Sequence, residues 1–249
     1  MHLKGRVALV TGASRGIGAA IAKSLGEHGA PVAVNYCNSK GPAEKVVEAI
    51  KAKGGQAIAV QADARKRDQV EAMVKKTAEE FGPIDILVLN AGMAVPWKPF
   101  MELTTEEFEN KVYGEMQVFF HPLKAVLPSM VQRKKGCIIG ISSGLSRNPG
   151  FGFSAHTTAK SGIDGLMKSL ALELGPLGIR VNTVAPGLVM TDATSWQPKD
   201  RVEAIAKATP LRRVGQPEDI AGAVMMLVGD EAGFITGNYI SASGGGLMI

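Results

Sequence analysis

Apolar residues in this chain come in short uninterrupted runs, and stretches of helical periodicity separate one run from the next. Val7-Ala8-Leu9-Val10 is such a run, the pattern of a strand covered on both faces. From Ile17 to near Gly29 the apolar positions recur at helical spacing. The alternation then repeats: Val32-Ala33-Val34-Asn35-Tyr36, a helix over 42–53, Ile58-Ala59-Val60, a helix over 68–81, and a strand over 84–89. Strands that alternate with helices need crossover connections, which are right-handed and set the strands parallel.

The second half continues with a helix over 105–132, a strand over 137–141, a helix over 156–174 and a strand over 180–184. The rhythm breaks over 187–216, where Pro198, Pro210 and Gly215 surround a short amphipathic piece. This stretch reads as an insertion outside the sheet, late enough to cover a site. Pro217-Glu218-Asp219 then opens a helix, with proline in the first turn and acids where the helix dipole favours them. A last strand near Tyr239-Ile240 precedes a glycine-rich tail. The pattern predicts an α/β fold: one doubly wound domain over 1–249, with a parallel sheet of about seven strands.

Composition narrows the classes. A 45% hydrophobic content over 249 residues is enough for a sizeable core. The net charge of +5 is spread among acids and aromatic residues are 5%, which argues against nucleic acid as a partner and suits an anionic ligand. The start of the chain lacks a signal-peptide pattern, and no apolar run nears the roughly 20 residues of a membrane span; a cytoplasmic protein with no membrane partner is expected. Cys37 and Cys137 stand in no metal-binding or redox spacing, so no metal is expected.

The chemistry begins at Thr11-Gly12-Ala13-Ser14-Arg15-Gly16-Ile17-Gly18, between a strand and a helix. Glycines there let backbone amides and the helix N-terminus approach a pyrophosphate. An acid that would bind a ribose 2′-hydroxyl is missing from the end of the second strand, which reads Asn35-Tyr36-Cys37. Arg15 supplies a guanidinium suited to a 2′-phosphate, and Lys40 stands close after that strand. The expected cofactor is NADP(H).

The spacing T-G-x-x-x-G-x-G resembles that of the short-chain dehydrogenase/reductase family, and the resemblance runs over nearly the whole chain. It implies cofactor contacts from Gly12, Ser14, Arg15, Gly16, Ile17 and Gly18, with Asn35 and Tyr36 at the second strand. Asp63, with Ala64 beside it, matches the family's aspartate near the adenine. Asn90-Ala91-Gly92 matches most of its Asn-Asn-Ala-Gly segment, with Leu89 in place of the first asparagine. Pro186, Gly187, Val189 and Thr191 resemble the segment that holds the nicotinamide. Leu211-Arg212-Arg213-Val214-Gly215 followed by Pro217-Glu218-Asp219 resembles the beta-ketoacyl-carrier-protein reductases, which implies a homotetramer or homodimer and a substrate that can be carrier-bound.

The family places a serine thirteen residues before a Tyr-x-x-x-Lys. Here Ser143 keeps that spacing, but the segment reads His156-Thr157-Thr158-Ala159-Lys160. Lys160 falls one helical turn after His156, on the same face, and is expected to keep the ribose. Glu115 stands at the family's catalytic asparagine, and Tyr113 nearby keeps a phenol in reserve. Imidazole is normally a stronger acid than a phenol. The expectation is that Ser143 binds a substrate oxygen and a protonated His156 delivers the proton, with Glu115 offsetting the charge of Lys160.

Three functions are open to this sequence: reduction of a ketone or 3-oxoacyl-like carbonyl, reduction of the activated C=C bond of an enone, and a catalytically degenerate NADP(H)-binding subunit. Met93, Trp97, Phe100, Phe151, Phe153 and Trp196 follow strands on the ligand side of such sheets, where they suit an apolar substrate surface.

Overall fold

A computed structural model describes residues 3–248. The first half gives β1 (Val7–Val10), α1 (Gly16–Glu27), β2 (Val32–Tyr36), α2 (Lys40–Ala52), β3 (Ala57–Gln61), α3 (Arg67–Phe81) and β4 (Ile84–Leu89). The second gives α4 (Thr105–Arg133), β5 (Gly136–Ile141), α5 (Ser154–Leu174), β6 (Ile179–Pro186), α6 (Lys199–Ala208), α7 (Pro217–Val228) and β7 (Tyr239–Ala242). The seven strands pair in parallel in the order β3-β2-β1-β4-β5-β6-β7. This is the doubly wound α/β fold that the alternation predicts.

The uninterrupted apolar runs are strands covered on both faces. On one face α1, α2 and α7 pack through Ile21, Leu25, Val46, Ile50, Ile220 and Val224. On the other, α3, α4 and α5 pack through Met73, Phe119, Leu123, Ile163 and Met167. Because the winding reverses between β1 and β4, the two connections leaving their C-terminal ends part in opposite directions and open a crevice.

Local signals set the long helix that borders this crevice. Thr104 and Glu107 form a reciprocal cap at the start of α4: the Glu107 N–H donates to the Thr104 hydroxyl at 3.2 Å, and the Thr104 N–H donates to the Glu107 carboxylate at 3.0 Å. Pro122 and Pro128 lie inside α4 and each removes one backbone donor; Val118, Leu123 and Val126, buried around the first of them, hold the helix onto the sheet.

The stretch 187–216 lies outside the sheet apart from one bridge, as its broken pattern suggests. Its ends are pinned together: Val189 bridges Gly215 in parallel, and the Gly215 N–H donates to Leu188 O at 2.8 Å. Between them α6 is amphipathic. Among the described residues no helix is long and apolar enough to cross a membrane.

Candidate functional site

The crevice begins with the loop from β1 to α1. Gly12 takes φ +62°, and a Cβ on it would lie 2.9 Å from the Ala91 Cα. A Cβ on Gly18 would fall 2.5 Å from the Gly12 carbonyl and from the Asn90 amide nitrogen. Neither position has room for a side chain. Arg15 caps α1 without a side-chain hydrogen bond, and the first turn carries no acid. The positive end of α1 therefore faces the crevice uncompensated, a cradle that fits a pyrophosphate.

Asparagines shape this loop from beneath. The Gly12 N–H donates to Asn35 Oδ1 at 3.0 Å, and the Asn35 amide donates to Ala62 O at 3.0 Å and Val60 O at 3.3 Å. Asn90 donates to the Thr11 and Gly12 carbonyls, both at 3.0 Å, while the Thr11 hydroxyl accepts the N–H groups of Asn90 and Ala91. The side chains of Asn35 and Asn90 are thus spent on the loop, not offered to a ligand, and the Tyr36 side chain packs in the core. Thr11, the first residue of the glycine motif, is the hub that joins the first and fourth strands.

Other residues of the resemblance ring the same crevice. Arg15 donates to the Ser39 hydroxyl just past β2 and reaches Asp192 at 3.9 Å. Asp63 is gripped by Arg65 at 2.7 Å, and that hydrogen bond holds its carboxyl below the usual range; Ala64 beside it is buried. The methyl of Thr191 lies against Gly16, next to Ile17, half-buried at the start of α1. Val189 is buried, and Gly187, following Pro186 at the end of β6, packs its backbone on Ser243. Ser14 is half-buried at the mouth. Lys40 pairs with Glu44 at 3.6 Å on the exposed side of α2, so its charge is spent on its own helix.

Deeper in the crevice three charges are buried together. Glu115 on α4 has no solvent exposure, and its two oxygens meet Lys111 at 2.7 Å and Lys160 at 2.8 Å, whose side chains are 2% and 8% exposed. Lys111 also donates to Met93 O at 2.9 Å, and the Met93 N–H donates back to Glu115 at 2.9 Å. Lys160 donates to Ile141 O at 2.8 Å. Burial pushes the Glu115 carboxyl up, but Lys160 and Lys111 together outweigh it and bring it down to about 2. Burial lowers Lys111, opposed by the attraction of Glu115. Lys111 was missed in the sequence, although its i,i+4 spacing to Glu115 was a signal for the pair.

His156 and Ser143 stand beside this network. His156 is lowered to about 3, first by burial and then by the charges of Lys111 and Lys160; the opposing pull of Glu115 is smaller. Its Nδ1 is buried without a hydrogen-bond partner among the described residues. The expectation of a protonated His156 therefore fails: Glu115 neutralises lysines instead of supporting an imidazolium. The Ser143 Oγ accepts the Leu145 N–H at 3.2 Å, and its own O–H has no acceptor among the described residues. The serine loop is held from behind by Asp164, which accepts from Ser142 at 2.5 Å and Ser146 at 2.6 Å, and by Tyr239, which donates to Ser143 O at 3.0 Å.

Tyr113 does not join the site. Two residues before Glu115 on a helix is about 200° around the axis, so the buried face of Glu115 leaves Tyr113 outward and 64% exposed. Phe100 and Phe151 are likewise exposed. Trp97, Phe153 and Trp196 do cluster: the tryptophan rings are 5.1 Å apart, and Trp97 and Phe153 are 6.3 Å apart. Met93 contributes backbone to the Glu115 network.

Residues 12–246 match a family model described as enoyl-(acyl carrier protein) reductase. The chain is 41% identical over 243 residues to a 3-oxoacyl-(acyl-carrier-protein) reductase of Staphylococcus epidermidis, covering 97% of this chain and 98% of that one. It is 43% identical over 246 residues to an uncharacterized oxidoreductase of Methylorubrum extorquens, covering 98% of each. The crystal structure of a dehydrogenase/reductase from Sinorhizobium meliloti superposes with a TM-score of 0.91 at 37% identity, over 99% of this chain and 97% of that one.

Two stability measurements check the buried network. His156 is about 3 in the folded protein against about 6.5 unfolded, so the unfolded chain binds the extra proton in that window. Stability carries no such cost above pH 6.5 and falls as the pH drops toward 3. Between pH 7 and pH 5, urea unfolding should show the native protein losing about 2 kcal/mol more than His156→Gln; equal losses would show that His156 titrates normally. Glu115→Gln, which leaves both Lys111 and Lys160 buried without their carboxylate, should cost about 3–5 kcal/mol in urea unfolding at pH 7, and Lys111→Met/Glu115→Gln, which takes away one of the two stranded cations, should recover part of it.

Proposed function

The chain belongs to the short-chain dehydrogenase/reductase family, and from that premise we propose that it is an NADP(H)-dependent oxidoreductase reducing a carbonyl, a ketone or a 3-oxoacyl-like compound. The observation that carries this reading is the buried Lys111–Glu115–Lys160 network. Two ammonium groups against one carboxylate leave one positive charge in excess where a carbonyl oxygen would become negative. Such preorganised charge, out of water, is the largest usual contribution to stabilising an oxyanion.

The cradle of Gly12, Gly18 and the α1 N-terminus suits the pyrophosphate, and Lys160 would hold the nicotinamide ribose. Arg15 and Ser39, with no acid at the end of β2, suit the 2′-phosphate. When bound, the reduced nicotinamide supplies a hydride to the carbonyl carbon. The free O–H of Ser143 then donates to the carbonyl oxygen. His156 acts as a neutral imidazole, donating an N–H hydrogen bond as an electrophile, a role open to an imidazole kept uncharged by its surroundings. As the alkoxide forms, that proton passes to oxygen; the charges of Lys111 and Lys160 favour its loss from the imidazole, and a proton from water replaces it when product leaves.

The names of the relatives support a carrier-bound 3-oxoacyl compound as the substrate type. Exposed apolar residues on α4, α5 and α7, among them Phe120, Leu172 and Met226, suit a homodimer or homotetramer; light scattering of the purified protein should give two or four times the chain mass, and a monomer would remove this part.

Calorimetry should show NADPH binding at least tenfold tighter than NADH, with Arg15→Ala erasing about tenfold of the difference. With NADPH and a 3-oxoacyl thioester or ketone, the product should be the alcohol, and His156→Ala should lower kcat by about a hundredfold. Reduction of enones with ketones untouched would assign the site to C=C bonds. Tight NADPH binding with no hydride transferred to either class would make the chain a nucleotide-binding subunit.

A further inference from the structure

The aromatic cluster at the mouth of the crevice has a cation in it. Trp97 follows β4, Phe153 precedes α5, Trp196 follows β6, and Arg201 lies in the first turn of α6. The Arg201 guanidinium carbon stands 4.7 Å from the Trp97 ring centre and 5.5 Å from that of Phe153. Phe153 in turn meets His156 edge to face at 6.2 Å. One phenyl ring thus separates the guanidinium from the imidazole, and the two are no farther apart than those distances laid end to end.

The indole N–H groups are spent locally, Trp97 on Phe151 O at 3.1 Å and Trp196 on Ala193 O at 2.9 Å, so the rings offer only apolar surface. Arg201 is the reverse. A guanidinium has five N–H donors, and none meets a carboxylate or carbonyl among the described residues. It also sits in the first turn of its helix, where the dipole disfavours a cation. Stacking holds the planar group in place while its N–H edge stays unspent, the arrangement that receives a carboxylate in a two-pronged fork.

We infer that the substrate is an oxo acid: a compound with its carbonyl at Ser143 and His156, a short apolar body against Trp97, Phe153 and Trp196, and a carboxylate on Arg201. This rests on the carbonyl-reductase reading above and departs from it in one respect, a free acid in place of a carrier-bound compound. The phosphate of a carrier's long prosthetic arm, when extended, lies farther from its acyl carbonyl than this spacing allows, which favours a free acid.

The two tryptophans of the chain are both in this cluster, so intrinsic fluorescence reports the site without turnover. The probes are 7-oxooctanoate, its methyl ester, and 3-oxobutanoyl thioesters of pantetheine and phosphopantetheine, each tested with NADPH. The acid should quench tryptophan fluorescence and be preferred to the ester in kcat/KM. Arg201→Met should lower the acid-to-ester ratio by about tenfold to a hundredfold, with Arg201→Lys in between. An unchanged ratio would overturn the inference and leave Arg201 as a clamp between loops. An Arg201-dependent preference for phosphopantetheine over pantetheine, with none for the acid, would overturn it in favour of a carrier arm. If no probe is reduced, the reductase reading fails by itself; quenching by the acid that Arg201→Met abolishes would still uphold the oxo-acid site, and its absence would sink that too.

Discussion

Two ammonium groups can be buried in this crevice because one carboxylate stands between them. Isolated, each would lose far more in hydration than a protein of ordinary stability can supply. Glu115 gives one oxygen to each lysine, and the backbone of Met93 and Ile141 takes up further hydrogen bonds. The arrangement couples the loop after β4, the helix α4, the end of β5 and the helix α5, so the position of the buried charges and the packing of four elements share one set of contacts.

Burial first, and then the charges of this network, decide the character of the imidazole. A histidine beside two lysines and shielded from water favours its neutral form, whatever its ordinary acidity. The crevice therefore holds fixed hydrogen-bond donors and buried positive charge, with His156 uncharged at neutral pH. Glu115 and His156 are joined through the lysines: the carboxylate balances their charge, while the imidazole stays uncharged near them.

Much of the frame was legible in the residues. Apolar runs alternating with helical periods specified the strands, the helices and a parallel doubly wound sheet, with ends displaced by one or two residues where caps and frayed turns decide. The glycine spacing located the loop after β1, and Lys160 and Glu115 meet with His156 close enough to feel their charges. Less legible were residues whose role depends on what lies opposite them. Asn35 and Asn90 read as ligand contacts but spend their amides on backbone; Tyr36 lies in the core; Tyr113 turns to solvent because helical phase, not closeness in sequence to Glu115, sets its direction.

Sequence by itself determined the period of each segment, the glycines without which the first loop cannot close, and the chemical types available to the crevice. Those properties are local: they depend on backbone geometry and on which neighbours lie within a few residues. Tertiary structure alone decided which charges meet. Lys160 comes from α5 and Glu115 from α4, Arg201 from α6 stacks on rings from two other loops, and the protonation of His156 follows from burial and from lysines on separate helices. Electrostatic energy depends on distance and on the exclusion of water, and neither is fixed until the chain has folded.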